Sequence, residues 1–272
     1  MQLLMNARGL PRHPTIPAMT APNFSLVGKV ALVTGSTRGL GKAMAFALGS
    51  AGARVAFNYY NDSTLADRVL QEYRALGYEG DSFRASVIDE AAVNQLAASV
   101  ASTLGPIDIV VFNATPLQPL KPIEEYDWAF YQSMIDYFIK SPYLITRAVL
   151  PHMKQQRWGR LISMTTESFN RGQAPFSAYV AAKGGQIGWS RSMANELAPW
   201  HITVNMIAPG WIPVERHDTD PQEAKDAYKS LIPMGRWGVP HDVAGAVVYL
   251  ASPAADFVTG QDIHVNGGMT VG

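Results

Sequence analysis

The 272-residue chain has no cysteine. That excludes disulfides, thiolate zinc sites and cysteine nucleophiles, and it fits a reducing, cytoplasmic compartment. Charge is scarce: charged residues make up 16 % of the chain, against about 25 % in ordinary domains. With 47 % hydrophobic residues, the chain is not disordered, and part of its surface is expected to lie under a partner subunit. Net charge is absent, 22 basic side chains balancing 22 acidic ones, so nothing electrostatic favours nucleic acid or an anionic membrane as partner. No apolar run approaches the roughly 18 residues that a membrane-spanning helix needs. The six histidines have no H-x-x-x-H or similar spacing, and no metal site is expected. Met1–Asn23 carries Arg8, Arg12 and four prolines without a continuous apolar core. This makes a poor secretory signal, and the segment reads as a disordered tail with a start site upstream of Met19 as its simplest origin.

From Val27 onward, short β-branched runs alternate with longer amphipathic stretches. Strands are expected at Lys29–Thr34, Ala53–Asn58, Asp81–Ala85, Ile107–Asn113, Arg160–Met164, His201–Ile207 and Asp262–Val265. Helices are expected at Gly41–Ser50, Ser63–Leu76, Glu90–Leu104, a long stretch Ile123–Gln156, Ala178–Leu197 and Asp242–Leu250. Strands apolar on both faces and alternating with helices imply an α/β fold, a parallel sheet covered on both sides. No repeat or linker interrupts 24–272, so one domain is expected there.

Between the first strand and the first helix stands Thr34-Gly35-Ser36-Thr37-Arg38-Gly39-Leu40-Gly41. Glycines at such a turn let the backbone approach a pyrophosphate, and the helix N-terminus supplies N–H groups and positive dipole. Three glycines at a helix start cost stability, which weighs against a turn without a ligand. The spacing is G-x-x-x-G-x-G, distinct from the G-x-G-x-x-G of other dinucleotide folds. At the end of the second strand, where an acid would hold an NAD ribose, stands Asn58-Tyr59-Tyr60-Asn61, and Asp62 comes too late. Arg38 can meet a 2′-phosphate, although a solvated loop cation is the competing reading. The missing acid and the present cation favour NADP(H) over NAD(H), with Tyr59 beside the adenosine end.

Tyr179 and Lys183 are spaced i, i+4 and share one helix face. An ammonium near a phenol lowers the phenol's pKa and suits it to proton transfer near neutral pH. Alone the pair reads as a solvated helix face; its place after the fifth strand, beside the glycine turn, argues for chemistry.

With these marks the chain resembles the short-chain dehydrogenase/reductase family over nearly all of Val27–Gly272. The resemblance is carried by Thr34–Gly41, Asn113-Ala114, Tyr179/Lys183, Asn205, Pro209-Gly210, Thr259-Gly260-Gln261 and Val265-Asn266-Gly267-Gly268. It implies a doubly wound Rossmann-type fold with about seven parallel strands, a nicotinamide dinucleotide, and hydride transfer between an alcohol and its carbonyl. It also implies a homotetramer or homodimer. By the same resemblance Tyr179 is the acid/base, Lys183 holds the nicotinamide ribose and tunes Tyr179, Asn113 lines the ribose, and the backbone near Pro209, Gly210 and Ile212 meets the carboxamide.

The chain departs from the family pattern at several positions. Thr166 stands where the family has its active-site serine, with Thr165 and Ser168 as competitors. Phe112 replaces the first asparagine of Asn-Asn-Ala-Gly, and Thr115 replaces its glycine. Ser86 replaces an adenine-contacting aspartate, and Val214 a cofactor-contacting threonine. Phe138 replaces a helix-borne asparagine whose carbonyl holds a relay water. Pro142, four residues on, offers no N–H to the Phe138 carbonyl and would leave it free for that water; a mere kink is the alternative. Tyr126, Trp128, Phe130, Tyr131, Tyr137 and Phe138 read more readily as core or subunit interface than as pocket. The segment 211–237 reads as a substrate lid, in which His217 is a solvated residue. The expected function is reversible reduction of a small-molecule carbonyl to its alcohol. A catalytically weakened dinucleotide-binding sensor or assembly protein is the alternative, and an epimerase or dehydratase a more distant one.

Overall fold

The computed structural model describes residues 21–271. The expected tail falls outside the described residues up to position 20; its last residue, Asn23, is tied down, its carbonyl accepting the Ala254 N–H at 3.0 Å. Among the described residues seven strands are formed: β1 (Val30–Val33), β2 (Arg54–Tyr59), β3 (Gly80–Arg84), β4 (Ile109–Phe112), β5 (Gly159–Met164), β6 (Ile202–Pro209) and β7 (Asp262–Val265). They make one sheet in the order β3-β2-β1-β4-β5-β6-β7, parallel throughout. This is the doubly wound α/β fold that the alternation of elements implies. Because the order reverses between β1 and β4, the crevice beyond their C-terminal ends is where such sheets hold ligands.

Alternation along each strand divides the core into two layers. Ala31 and Val33 of β1 face a layer built from α1 (Gly39–Ser50), α2 (Ser63–Ala75) and a C-terminal helix, through Met44, Leu48, Val69, Val243 and Val247. Val30 and Leu32 face the other layer, where α3 (Glu90–Thr103) packs with two longer helices through Val93, Leu96, Ile145, Val149 and Leu197. The period-2 alternation of strand side chains produces this division, and it explains why β1, β4 and β5 are buried at every position.

The long helical stretch expected at Ile123–Gln156 is not continuous. It comprises a 3₁₀ turn at Ile123–Glu125, α4 (Trp128–Ile135), a π turn at Asp136–Lys140 and α5 (Ser141–Gln156). Asp127 starts α4 afresh by accepting the Phe130 N–H at 2.7 Å, an N-cap that a helix interior could not contain. At the π turn the Ser141 N–H reaches back five residues to the Asp136 carbonyl. Buried Pro142 follows directly and has no N–H to continue an α ladder. The remaining helices are α6 (Glu167–Arg171), α7 (Ser177–Leu197), α8 (Gln222–Ser230) and α9 (Pro240–Ala251). Neither α6 nor α8 is apparent from periodicity, the first being five residues long and the second having no buried residue. No helix among the described residues is long and apolar enough to cross a membrane.

Candidate active site

The glycine turn sits where β1 meets α1, and its residues need their special chemistry. Gly35 and Gly39 have φ of +62° and +54°, the left-handed region that a side chain disfavours. Gly41 has ordinary φ, but a Cβ there would come 2.4 Å from the Gly35 carbonyl oxygen and 2.6 Å from the Asn113 amide nitrogen. That amide donates to the carbonyls of Thr34 and Gly35 at 2.9 and 3.1 Å. The Thr34 hydroxyl accepts the N–H groups of Asn113 and Ala114, both at 2.9 Å. Asn113 therefore braces the turn from the end of β4. Ser36 is fully buried and its hydroxyl has no hydrogen-bond partner among the described residues. Leu40 packs partly buried against the core.

Beyond β2, Asp62 caps α2 by accepting the Leu65 N–H at 2.8 Å, so its carboxylate is already in use. Asn58 is buried; its amide donates to the Ala85 carbonyl at 3.1 Å, and its oxygen faces the Gly35 N–H at 3.4 Å. Half-buried Tyr59 closes the strand and exposed Arg38 stands at the N-cap of α1. A second cation, absent from the expected set, joins them. The parallel register sets Arg84 beside Tyr59, and its Nε–H donates to the Tyr60 carbonyl at 2.9 Å. An arginine ending β3 next to the end of β2 was the available signal.

Tyr179 and Lys183 both lie on the buried face of α7, as their spacing requires. Tyr179 stacks on Phe176 at 4.5 Å and meets Phe138 edge-on at 5.5 Å. Of the three candidate hydroxyls, Thr166 is the one beside the phenol. Thr165 instead donates to Asp262 at 2.9 Å, and Ser168 to Gln173 at 2.8 Å. Thr166 is also the N-cap of α6, accepting the Ser168 N–H at 3.1 Å. The Lys183 ammonium donates to the Met164 carbonyl and to Gln186 Oε1 at 3.0 Å, and sits 3.7 Å over the Phe138 ring.

This arrangement changes the expected electrostatics. Burial pushes the Tyr179 phenol above its ordinary pKa, opposed by the neighbouring Thr166 hydroxyl and by the charge of Arg216. Burial likewise lowers Lys183 well below the ordinary lysine range, aided by Arg216 and opposed by Asp262. For the phenol, burial outweighs the lowering influence of Thr166 and of the Arg216 guanidinium from segment 211–237, while the Lys183 ammonium is engaged by Met164 and Gln186.

The six crossover aromatics do not behave alike. Tyr126, Phe130, Tyr131, Tyr137 and Phe138 form one cluster with Tyr179, whereas Trp128 remains 69 % exposed. Phe112 packs into the core against Trp189 at 6.0 Å. Asn205 is structural: it donates to the Val258 carbonyl at 2.7 Å and accepts the Gln261 N–H at 3.1 Å, pinning the Thr259–Gln261 turn to β6.

Segment 211–237 folds over the C-terminal ends of the strands. Gly210 donates to Val265 at 3.1 Å, extending the Pro209–Val265 pairing, and Ile212 is buried against Gly238. The Tyr228 hydroxyl accepts the Trp211 N–H at 2.7 Å and donates to the Glu167 carboxylate, while its ring stacks on Trp237. Burial and the Glu167 carboxylate both push the Tyr228 phenol well up. Glu167 itself is 3 % exposed, which its place after Thr166 does not reveal. His217 is not the solvated residue expected but is half-buried, because its Nδ1 accepts the Val214 N–H at 3.1 Å and its ring meets Trp211 edge-on; burial lowers its pKa.

A family model described as Enoyl-(Acyl carrier protein) reductase matches residues 35–270. A 2-dehydro-3-deoxy-D-gluconate 5-dehydrogenase of Formosa agariphila is 34 % identical over 254 residues, covering 92 % of this chain and 96 % of that protein. A 3-oxoacyl-(acyl-carrier-protein) reductase of Synechocystis sp. is 39 % identical over 252 residues, covering 91 % and 99 %. Among solved structures, a blue fluorescent protein from a metagenomic library in complex with NADPH is similar with a TM-score of 0.84. It is 30 % identical and covers 91 % of this chain and 100 % of that one.

Proposed function

The chain belongs to the short-chain dehydrogenase/reductase family of NAD(P)-dependent oxidoreductases, and from that premise we propose that it interconverts a small hydroxylated substrate and its carbonyl, using NADP(H). The observation that carries this reading is the Thr166 hydroxyl beside the Tyr179 phenol, one helical turn from Lys183. The glycine turn fits the dinucleotide's phosphates: its backbone is left-handed at two glycines, Gly41 admits no Cβ, and the N-terminal turn of α1 holds no acid. Gly35, Ser36, Arg38, Gly39, Leu40 and Gly41 would hold that end, with Tyr59 and Asn113 along the adenosine and ribose. Pro209, Gly210 and Ile212 would meet the carboxamide.

Bound there, the nicotinamide supplies or takes a hydride at the substrate carbon. Thr166 holds the substrate oxygen through its hydroxyl. Tyr179 gives that oxygen a proton in reduction and withdraws it in oxidation. A phenol pushed up by burial is protonated at neutral pH, which suits the reducing direction. Lys183 holds the nicotinamide ribose, and Pro142 leaves the Phe138 carbonyl available to a relay water. Segment 211–237 acts as the lid. The relatives' names divide between a sugar-acid dehydrogenase and an acyl-thioester reductase. The half-polar lid, with Trp211, Glu215, Arg216 and His217, favours the hydroxylated acid as substrate class.

The test combines fluorescence titration with NADPH and NADH, then a carbonyl panel. NADPH should saturate at the lower concentration, and Arg38→Ala should weaken NADPH by about 5- to 10-fold while leaving NADH nearly unchanged. Tyr179→Phe should abolish turnover and keep cofactor binding. A weakened, sensor-type protein is the second reading, favoured by the engagement of Lys183 with Met164 and Gln186. Tight NADPH binding without turnover across the panel would support it instead.

A further inference from the structure

The first turn of α1 presents N–H groups to the glycine turn, and its own sequence supplies no acceptor for them. Arg38 caps it with extended backbone and no side-chain hydrogen bond, and the first turn contains no acid. The acceptor comes from the lid, 176 residues later in the chain: Glu215 Oε2 lies 3.1 Å from the Gly39 nitrogen. Val214 closes over the same residue, its Cγ2 3.3 Å from where a Gly39 Cβ would stand.

The carboxylate is delivered by a built turn. Glu215–His217 form one 3₁₀ turn, closed by the His217 N–H on the Val214 carbonyl at 2.7 Å and by the Val214 N–H on His217 Nδ1 at 3.1 Å. His217 meets Trp211 edge-on at 5.8 Å, which ties the turn to the rest of the lid. The turn borders a cleft of ≈ 860 Å³ that Gly39, Glu215 and His217 line together with Phe46, Tyr78 and Trp237. The exposed Glu215 side chain therefore has open space beside Gly39 into which it can swing.

A carboxylate oxygen on a helix N-terminal N–H makes the interaction that a phosphate oxygen makes there. Two anions cannot share one N–H, and at that distance they repel each other. We propose that Glu215 is an internal competitor for the dinucleotide's phosphates, holding the glycine turn until the cofactor displaces it. The cofactor's affinity is then set partly by a lid residue that belongs to neither the glycine turn nor the catalytic pair. This rests on the reading of the glycine turn as the dinucleotide site.

The experiment is fluorescence titration of NADPH into the full-length protein and three variants, each checked for folding by thermal melting. Glu215→Ala should tighten NADPH by about 3- to 10-fold, and Glu215→Gln by less, since an amide oxygen still accepts the bond without the charge. Glu223→Ala removes the same charge from exposed helix α8 in the same segment and should leave affinity within about 1.5-fold. Unchanged or weaker binding in Glu215→Ala overturns the inference. So does equal tightening in Glu223→Ala, which would make the effect one of overall field. A wild-type protein that binds NADPH, with Glu215→Ala unchanged, defeats the inference alone. If neither wild type nor Glu215→Ala binds NADPH or NADH, the glycine-turn reading fails together with it.

Discussion

Adding one methyl group at Gly41 tests both the packing and the proposed use of the turn. An alanine Cβ there would lie 2.4 Å from the Gly35 oxygen, 2.6 Å from Asn113 Nδ2 and 3.0 Å from the Ser36 Cα. Two of these atoms are backbone, and the third belongs to an amide already held by the Thr34 and Gly35 carbonyls. No flexible chain end can move aside, so the cost lies at the upper end of the range for overpacking, about 2–3 kcal/mol. Alanine regains about 1 kcal/mol of helix propensity over glycine. The net loss is then about 1–2 kcal/mol, or a fall of roughly 2–8 °C in Tm for a chain of this size. Gly188 is the control, since it lies exposed in α7 where a Cβ would meet nothing within 4 Å. Gly188→Ala should raise stability by about 0.5–1 kcal/mol. Urea unfolding with unchanged m-values measures both variants, and NADPH titration of Gly41→Ala should show at least about a 10-fold loss, because opening the turn displaces the N–H groups that meet phosphate. Equal stability of the two variants would refute the packing argument. Full NADPH affinity in a destabilised Gly41→Ala would refute the cradle.

Two further outcomes follow from helix α7 and the π turn. Burial raises the Tyr179 phenol, so carbonyl reduction should be flat across neutral pH and fall only in the alkaline range, while alcohol oxidation should keep rising as the phenolate forms. An oxidation profile that levels off below about pH 8 would show that the loaded site draws the phenol down instead. Pro142→Ala restores an N–H four residues after Phe138 and should convert the π turn towards regular helix, lowering turnover by about 10-fold, a typical scale for a general acid–base contribution lost in part. Unchanged turnover with an unchanged pH profile would dismiss the relay role of the Phe138 carbonyl.

Most of the fold was legible because its signals are local. The all-apolar strands can only be covered on both faces, and the alternation with helices leaves a parallel sheet as the way to do it. The elements that escaped were those without a buried stripe. Helix α8 has no buried residue, and α6 is one short turn begun by the Thr166 cap. The two interruptions of the long crossover were unequally visible: Pro142 marks the π turn, but the Asp127 cap that starts α4 after the 3₁₀ turn resembles any surface aspartate until its hydrogen bond is seen.

At the site, the residue types and spacings of the glycine turn and of Tyr179 and Lys183 were determined by sequence alone, since a left-handed turn needs glycine and an i, i+4 pair must share a face. Only tertiary structure decided what surrounds them. Choosing Thr166 over its neighbours depends on which way a strand end points, and the burial that raises the Tyr179 pKa depends in part on the Phe138 ring brought from the π turn. Arg84 stands beside Tyr59 through strand register, and Glu215 reaches Gly39 from a turn 176 positions away. Local conformational limits can be read along a chain, whereas desolvation and charge depend on neighbours that are distant in sequence and meet only when the sheet is assembled.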